Sequence, residues 1–219
     1  MYAQNIIYSL TISVVVLLGW IRFKKMDRVF MPFIFLVSAG LINELLSLLL
    51  ITSGHQNTIN YNLYTLLESL LIVWQLRTWG LFNNKGVIFY SLQTSLLIGW
   101  SLENFFQTLF RFNSLFIIIY SFLVVLLSIV MMNRLIVSYR GHLFKNAAFL
   151  ICVGFIFYFS FSLLTETFWL AGLGQSSSFR ISIQSMLTYV NLIVNLLFIL
   201  AIIWIPMKRQ YILRSLSAG

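Results

Sequence analysis

The sequence predicts an all-α integral membrane protein, a bundle of seven membrane-spanning helices in one polytopic domain over residues 1–219. Three observations predict it. Of the 219 residues, 60% are hydrophobic and only 9% charged, against about 25% charged in a soluble domain. Such a surface could not be kept in water. The apolar residues also fall into seven stretches, each near the ~20 residues a helix needs to cross the hydrocarbon core. Finally, Lys and Arg collect at alternate ends of those stretches. Disorder and a collagen-like fold are excluded by the apolar content with only 2 Pro and 11 Gly.

The first span runs from Ile6 to Phe23. No basic residue precedes it and no small-residue cleavage site follows, so it is expected to be an anchor and not a removable signal. The second, Val29 to Ser53, tolerates Pro32 in its first turn, where a missing N–H costs nothing. Gly54-His55-Gln56-Asn57 then turns the chain into the third span, Tyr61 to Trp79. Phe82-Asn83-Asn84-Lys85-Gly86 leads to the fourth, Val87 to Phe110, followed by the fifth, Leu115 to Tyr139. The fifth has only Ser121 and Ser128 among Ile, Leu and Val, and is expected to be the most lipid-exposed. The sixth covers Ala147 to Gly172, and the seventh runs from Ile181 to Trp204, where Pro206 stops it. The single Cys152 allows no intramolecular disulfide.

Charge sets the expected orientation. Arg22, Lys24, Lys25 and Arg28 lie between spans one and two, and Arg77 and Lys85 flank spans three and four. Arg134, Arg140 and Lys145 lie between five and six, and Lys208, Arg209 and Arg214 follow seven. The opposite ends hold only Arg111 and Arg180. By the positive-inside rule the N-terminus is outside and the C-terminus cytoplasmic, which in a bacterium means a multi-pass inner-membrane protein. Trp20, Trp74, Trp79 and Trp204 fall near the inner interface and Trp169 near the outer one. The net charge of +9 is therefore topological, and no nucleic-acid partner is expected.

Five acidic residues remain to be placed. Asp27 sits among the first basic cluster and is expected to pair with it. Glu44, Glu68, Glu103 and Glu166 lie inside spans two, three, four and six, about 9–15 Å from the outer ends at 1.5 Å per residue. That spacing predicts one layer of carboxylates in the outer half of the bilayer. Helical periodicity extends it into polar faces. Asn43 and Glu44 share one, as do Tyr64 and Glu68. Trp100, Glu103, Asn104 and Gln107 form another, Glu166 and Trp169 a fourth, and Asn191 with Asn195 a stripe on span seven. The expected object is an outward-open polar cavity between spans two, three, four, six and seven.

An acid at a helix centre costs about 2.5–3.5 kcal/mol on the insertion scale. Four must be compensated by protonation, a cation, water or neighbouring donors. Intramembrane acids mark functional sites by default, although interhelical hydrogen bonds worth ~0.6 kcal/mol each are the bland reading, above all for Asn191 and Asn195. If a metal binds, Glu44, Glu68, Glu103 and Glu166 are its candidate ligands, and four oxygens suit a hard divalent cation. No catalytic motif is present, and span seven has no Lys to carry a retinal-type cofactor.

The segment Tyr61-Asn62-Leu63-Tyr64-Thr65-Leu66-Leu67-Glu68, preceded by Asn43-Glu44, resembles a Y-N-x-Y-x-L-x-E segment of small seven-helix inner-membrane proteins of Bacteroidota-type bacteria. That resemblance implies the same layout and no known activity. The leading expectation is a binding or sensory protein that recognises a cation, protons or a small polar ligand. It would signal through a cytoplasmic or membrane partner, with association into homo-oligomers left open. A cation or proton-coupled transporter is the alternative, and a metal-dependent lipid enzyme the third.

Overall fold

The computed structural model describes residues 11–82, 85–139, 141–171 and 177–207. The expected start of the first span at Ile6, Asn83 and Asn84, Arg140, the segment from Gly172 to Ser176, and the basic tail with Lys208, Arg209 and Arg214 lie outside these residues, as do the side chains of Arg180 and Gln184. Seven helices and no strand occur among the described residues. They are α1 (Ile12–Phe23), α2 (Met31–Thr52), α3 (Thr58–Thr78), α4 (Gly86–Gln107), α5 (Ser114–Ser138), α6 (Ala147–Leu170) and α7 (Ser177–Trp204), with short 3-10 turns at Arg28–Phe30 and Leu143–Lys145. Four helical stretches, Arg28–Thr52, Ser114–Ser138, Ala147–Leu170 and Ser185–Trp204, are long and apolar enough to cross a membrane. The chain is thus a helical membrane protein whose apolar helices face lipid.

The helix ends follow from local chemistry. Pro32 sits in the first turn of α2. At the other end, Gly54 takes φ 75°, and the N–H groups of Gly54 and His55 donate back to the carbonyls of Ile51 and Leu50. Gly80, with φ 81°, closes α3 in the same way, with Gly80 and Leu81 donating to Arg77 and Leu76. A left-handed residue is needed at each, and Gly adopts it without a Cβ clash. The first turn of α2 is completed from outside its own helix. Gln75 on α3 is fully buried, accepts the Phe33 N–H at 2.6 Å and donates to the Val29 carbonyl at 2.8 Å. It thereby satisfies an N–H that a helix start leaves unpaired.

Packing reverses one expectation. Helix α5 is not the most exposed: it buries Phe116, Ile117, Tyr120, Ser121, Val124, Ser128 and Met131, and packs most extensively on α6. Its two serines lie on that buried face, where small side chains let helices approach closely. Helix α4 is the peripheral one, burying only Phe89, Leu96 and Glu103 of its 22 residues. Asp27 also differs from expectation. Its carboxylate accepts the Val29 N–H at 3.1 Å and caps the 3-10 turn, with no basic partner among the described residues.

Long-range contacts sort the connections into two ends. At one end, Arg134 donates to the carbonyls of Gly80 and Leu81, and Arg22 to those of Ile203 and Ile205. Met26 bridges to Met207 there, and the Lys145 ammonium lies 5.3 Å from the Trp204 ring. At the other end, Asn62 holds the segment after α4, and Asn57 and Asn60 tie the start of α3 to Ser47 and Asn43 of α2. Arg22, Arg134 and Lys145, three of the basic residues expected on one side of a membrane, are therefore brought to one end of the bundle.

Candidate functional site

Helices α1, α2, α3, α6 and α7 enclose a cavity of about 110 Å³, well above the ~10–15 Å³ needed for one water. Glu44 and Glu68 supply its carboxylates, Tyr61, Tyr64 and Tyr158 its phenols, and Asn43, Asn191 and Asn195 its amides. Among the described residues no Lys, Arg or His lines it. Leu36, Val37, Ile72, Phe155, Phe159 and Phe198 form the apolar remainder. Compared with the expected lining, α4 is absent and α1 contributes Ile12.

Glu68 is the organised member of the pair. It is 5% exposed, and the phenols of Tyr64 (2.8 Å) and Tyr120 each donate to one of its oxygens. Tyr64 stands one turn away on the same helix, as its spacing requires. Tyr120 comes from α5, so this carboxylate joins α3 to a helix that does not line the cavity. Glu44, half-buried one helix away, receives no hydrogen bond and no ion pair from another described residue. It lines the cavity, with Asn43 beside it accepting from Asn60 at 2.9 Å. Asn195 donates to Thr11 at 2.8 Å, and Asn191 lines the wall one turn closer to the start of α7.

The other two glutamates stand elsewhere. Helix α4 ends at Gln107, where Thr108 swings to φ 71°, and α6 ends at Leu170. Glu103 and Glu166 are each four residues from those ends, about 6 Å, whereas Glu44 and Glu68 are about 12 and 15 Å from theirs. Counted along their own helices, Glu103 and Glu166 thus stand nearer a terminus than Glu44 and Glu68 do. Glu103 accepts the N–H groups of Leu115 (3.1 Å) and Phe116 (2.6 Å), and so caps α5 from the neighbouring helix. Glu166 approaches Ser114 and Glu103 on one side, and lies within electrostatic range of Tyr61 and Tyr158 on the other. Among the described residues no three of His, Cys, Asp and Glu gather as a metal centre would need.

The remaining predicted residues lie towards the same end of the bundle as Asn62. Trp100 donates its indole N–H to the Asn62 carbonyl at 2.8 Å, and Asn104 donates to the Trp100 carbonyl at 2.7 Å. Trp169 is exposed, Gln107 is half-buried, and neither lines the cavity. Two residues that sequence reasoning did not place in the site are Tyr158 and Tyr120. Tyr158 stands eight residues before Glu166 on the same helical face, so the same periodicity reaches it. Tyr120 carried a different signal: a phenol inside an apolar run needs a hydrogen-bond partner.

Removing the Glu103 side chain tests the cap. Glu103→Ala is expected to cost about 1.5–3 kcal/mol, the range for hydrogen bonds to a charged group, and to speed hydrogen exchange at Leu115 and Phe116. Unchanged exchange there would contradict the capping role.

No family model matches this chain, and neither a curated protein nor a solved structure matches it.

Proposed function

We propose that the chain is a multi-pass protein of the cytoplasmic (inner) membrane that binds a small cation, or protons, between Glu44 and Glu68. In this reading all seven helices span the bilayer, the N-terminus is outside, and the cavity lies in the outer half. A cytoplasmic or membrane partner reads the occupied state. The observation that carries the reading is a cavity with two carboxylates, one of them without a partner among the described residues, and no basic side chain among its described lining residues. A positive ligand supplies the charge such a site lacks. The ring faces of Tyr61, Tyr64 and Tyr158 could add to that attraction.

The resemblance of Tyr61 to Glu68 to a recurring segment fits this reading, because Tyr61, Tyr64 and Glu68 all line the cavity. Asn62 serves the outer loop instead. Transport is the weaker reading. Towards the basic end the cavity meets Phe155 and Phe198, with Phe33 packed edge-on to Phe198 at 5.1 Å between ring centres. Beyond them Gln75 is occupied with backbone groups. A conducting route would have to open through this aromatic layer.

Thermal unfolding of the purified protein in calcium, magnesium, potassium or ammonium chloride, at matched ionic strength, tests the proposal. One cation is expected to stabilise saturably, by about 2.7 kcal/mol at a hundredfold excess over Kd. Glu44→Gln and Glu68→Gln should each remove that increment, while Glu103→Ala keeps it. Equal responses of the wild type and both glutamine variants to every salt would rule the site out. Cation flux in proteoliposomes, abolished by Glu68→Gln, would instead favour transport.

A further inference from the structure

A second groove runs between α3 and α4, remote from the glutamate cavity. It encloses about 310 Å³, walled by Leu67, Leu70, Leu71 and Trp74 on one side and Phe89 and Gln93 on the other, with Arg77 at its head. Gln93 ties the two helices together by donating to the Leu70 carbonyl at 3.0 Å. The Arg77 guanidinium is positioned by two rings of α4, 4.1 Å from the centre of Phe89 and 5.1 Å from that of Tyr90. It forms no hydrogen bond or ion pair with another described residue. Asp27, the one acid besides the four glutamates, is engaged with Val29. A cation–π contact with rings uses the charge of a guanidinium but none of its N–H donors, which remain available to a bidentate anion such as phosphate.

The groove has the dimensions of a lipid chain. From Arg77 to Leu67 is ten residues, about 15 Å of helix, which equals half of a hydrocarbon core about 30 Å thick. Arg77 occupies the last turn of α3, at the basic end of the bundle, where an anionic headgroup would lie. We infer that this groove holds one anionic phospholipid, its phosphate on Arg77 and one acyl chain along Leu67, Leu70 and Leu71. The peripheral packing of α4 leaves that chain open to the bilayer on its other side. The site is independent of the cation reading and requires only that these helices stand in a membrane.

The test uses the full chain in phosphatidylcholine nanodiscs with and without phosphatidylglycerol, followed by native mass spectrometry of retained lipid. Wild type is expected to keep one phosphatidylglycerol in preference to phosphatidylcholine. Arg77→Gln should lower that preference about fivefold, the equivalent of one basic contact near a membrane surface. Leu67→Trp fills the groove at an exposed position, leaves the charge intact, and should also displace the lipid. Lys25→Gln, a basic residue elsewhere at the same end, should change nothing. The inference is overturned if the wild type shows no preference, or if Lys25→Gln matches Arg77→Gln, which would mean diffuse surface charge. It is equally overturned if Arg77→Gln and Leu67→Trp retain lipid as wild type does, or if inorganic phosphate displaces the lipid as an equal competitor.

Discussion

Asn62→Leu is expected to destabilise the protein by about 3–4 kcal/mol and to release the loop between α4 and α5. Asn62 is fully buried, donates to the carbonyls of Leu109 and Arg111, and accepts the N–H of Asn113. Leucine is close in volume but satisfies none of these groups. Each buried backbone group left unpaired costs about 1–3 kcal/mol. The loop also carries Thr108 at φ 71°, a conformation that a β-branched residue adopts only under constraint from its surroundings. With the constraint gone, Thr108 has reason to relax, and Glu103 would lose the fixed N-terminus of α5 that it caps. Hydrogen exchange at residues 109–116 should rise well above wild type, while the exposed neighbour replacement Leu63→Ala leaves it unchanged. Wild-type protection in Asn62→Leu would remove Asn62 from its role as the latch of this end.

Gly154→Val should cost about 3 kcal/mol, the upper part of the range for overpacking a core. A Cβ at Gly154 would stand 2.5 Å from one Phe198 ring carbon and 3.2 Å from two others. The ring cannot simply turn away, because it is packed edge-on to both Phe33 and Phe155, with centres 5.1 and 5.9 Å apart. Gly154 is thus a point of close approach between α6 and α7, next to Phe155 and Phe198 of the cavity's apolar lining. The mechanism predicts its own rescue. Phe198→Leu in the Gly154→Val background should recover at least 1 kcal/mol relative to additive behaviour, within the range seen for residues in contact. Strict additivity would show that the clash is relieved elsewhere.

The glutamates show most clearly where sequence reasoning stops. Their presence inside helices was legible, because hydropathy and turn residues are local properties. Their depth was not. The fourth span continues as apolar sequence to Phe110, yet α4 stops at Gln107, because Leu109 and Arg111 give their carbonyls to Asn62, 49 and fewer positions away in the chain. With α4 ending there, Glu103 stands only four residues from the helix end and beside the first turn of α5. Likewise, the composition of α5 reads as lipid-facing, since Ile, Leu and Val suit lipid and protein interior equally well. Only the contact with α6 and the reach of Tyr120 to Glu68 show that one of its faces is inside the bundle.

The amino-acid sequence alone therefore determined the helices, their approximate ends and the segregation of basic residues, because backbone satisfaction in a hydrocarbon medium forces local solutions. The tertiary structure decided which glutamates share a chamber and which one caps a neighbour. It also showed that α4, not α5, is the outlying helix. Those outcomes depend on how each helix is rotated and where its last turn breaks, and both are set by partners far away in the chain.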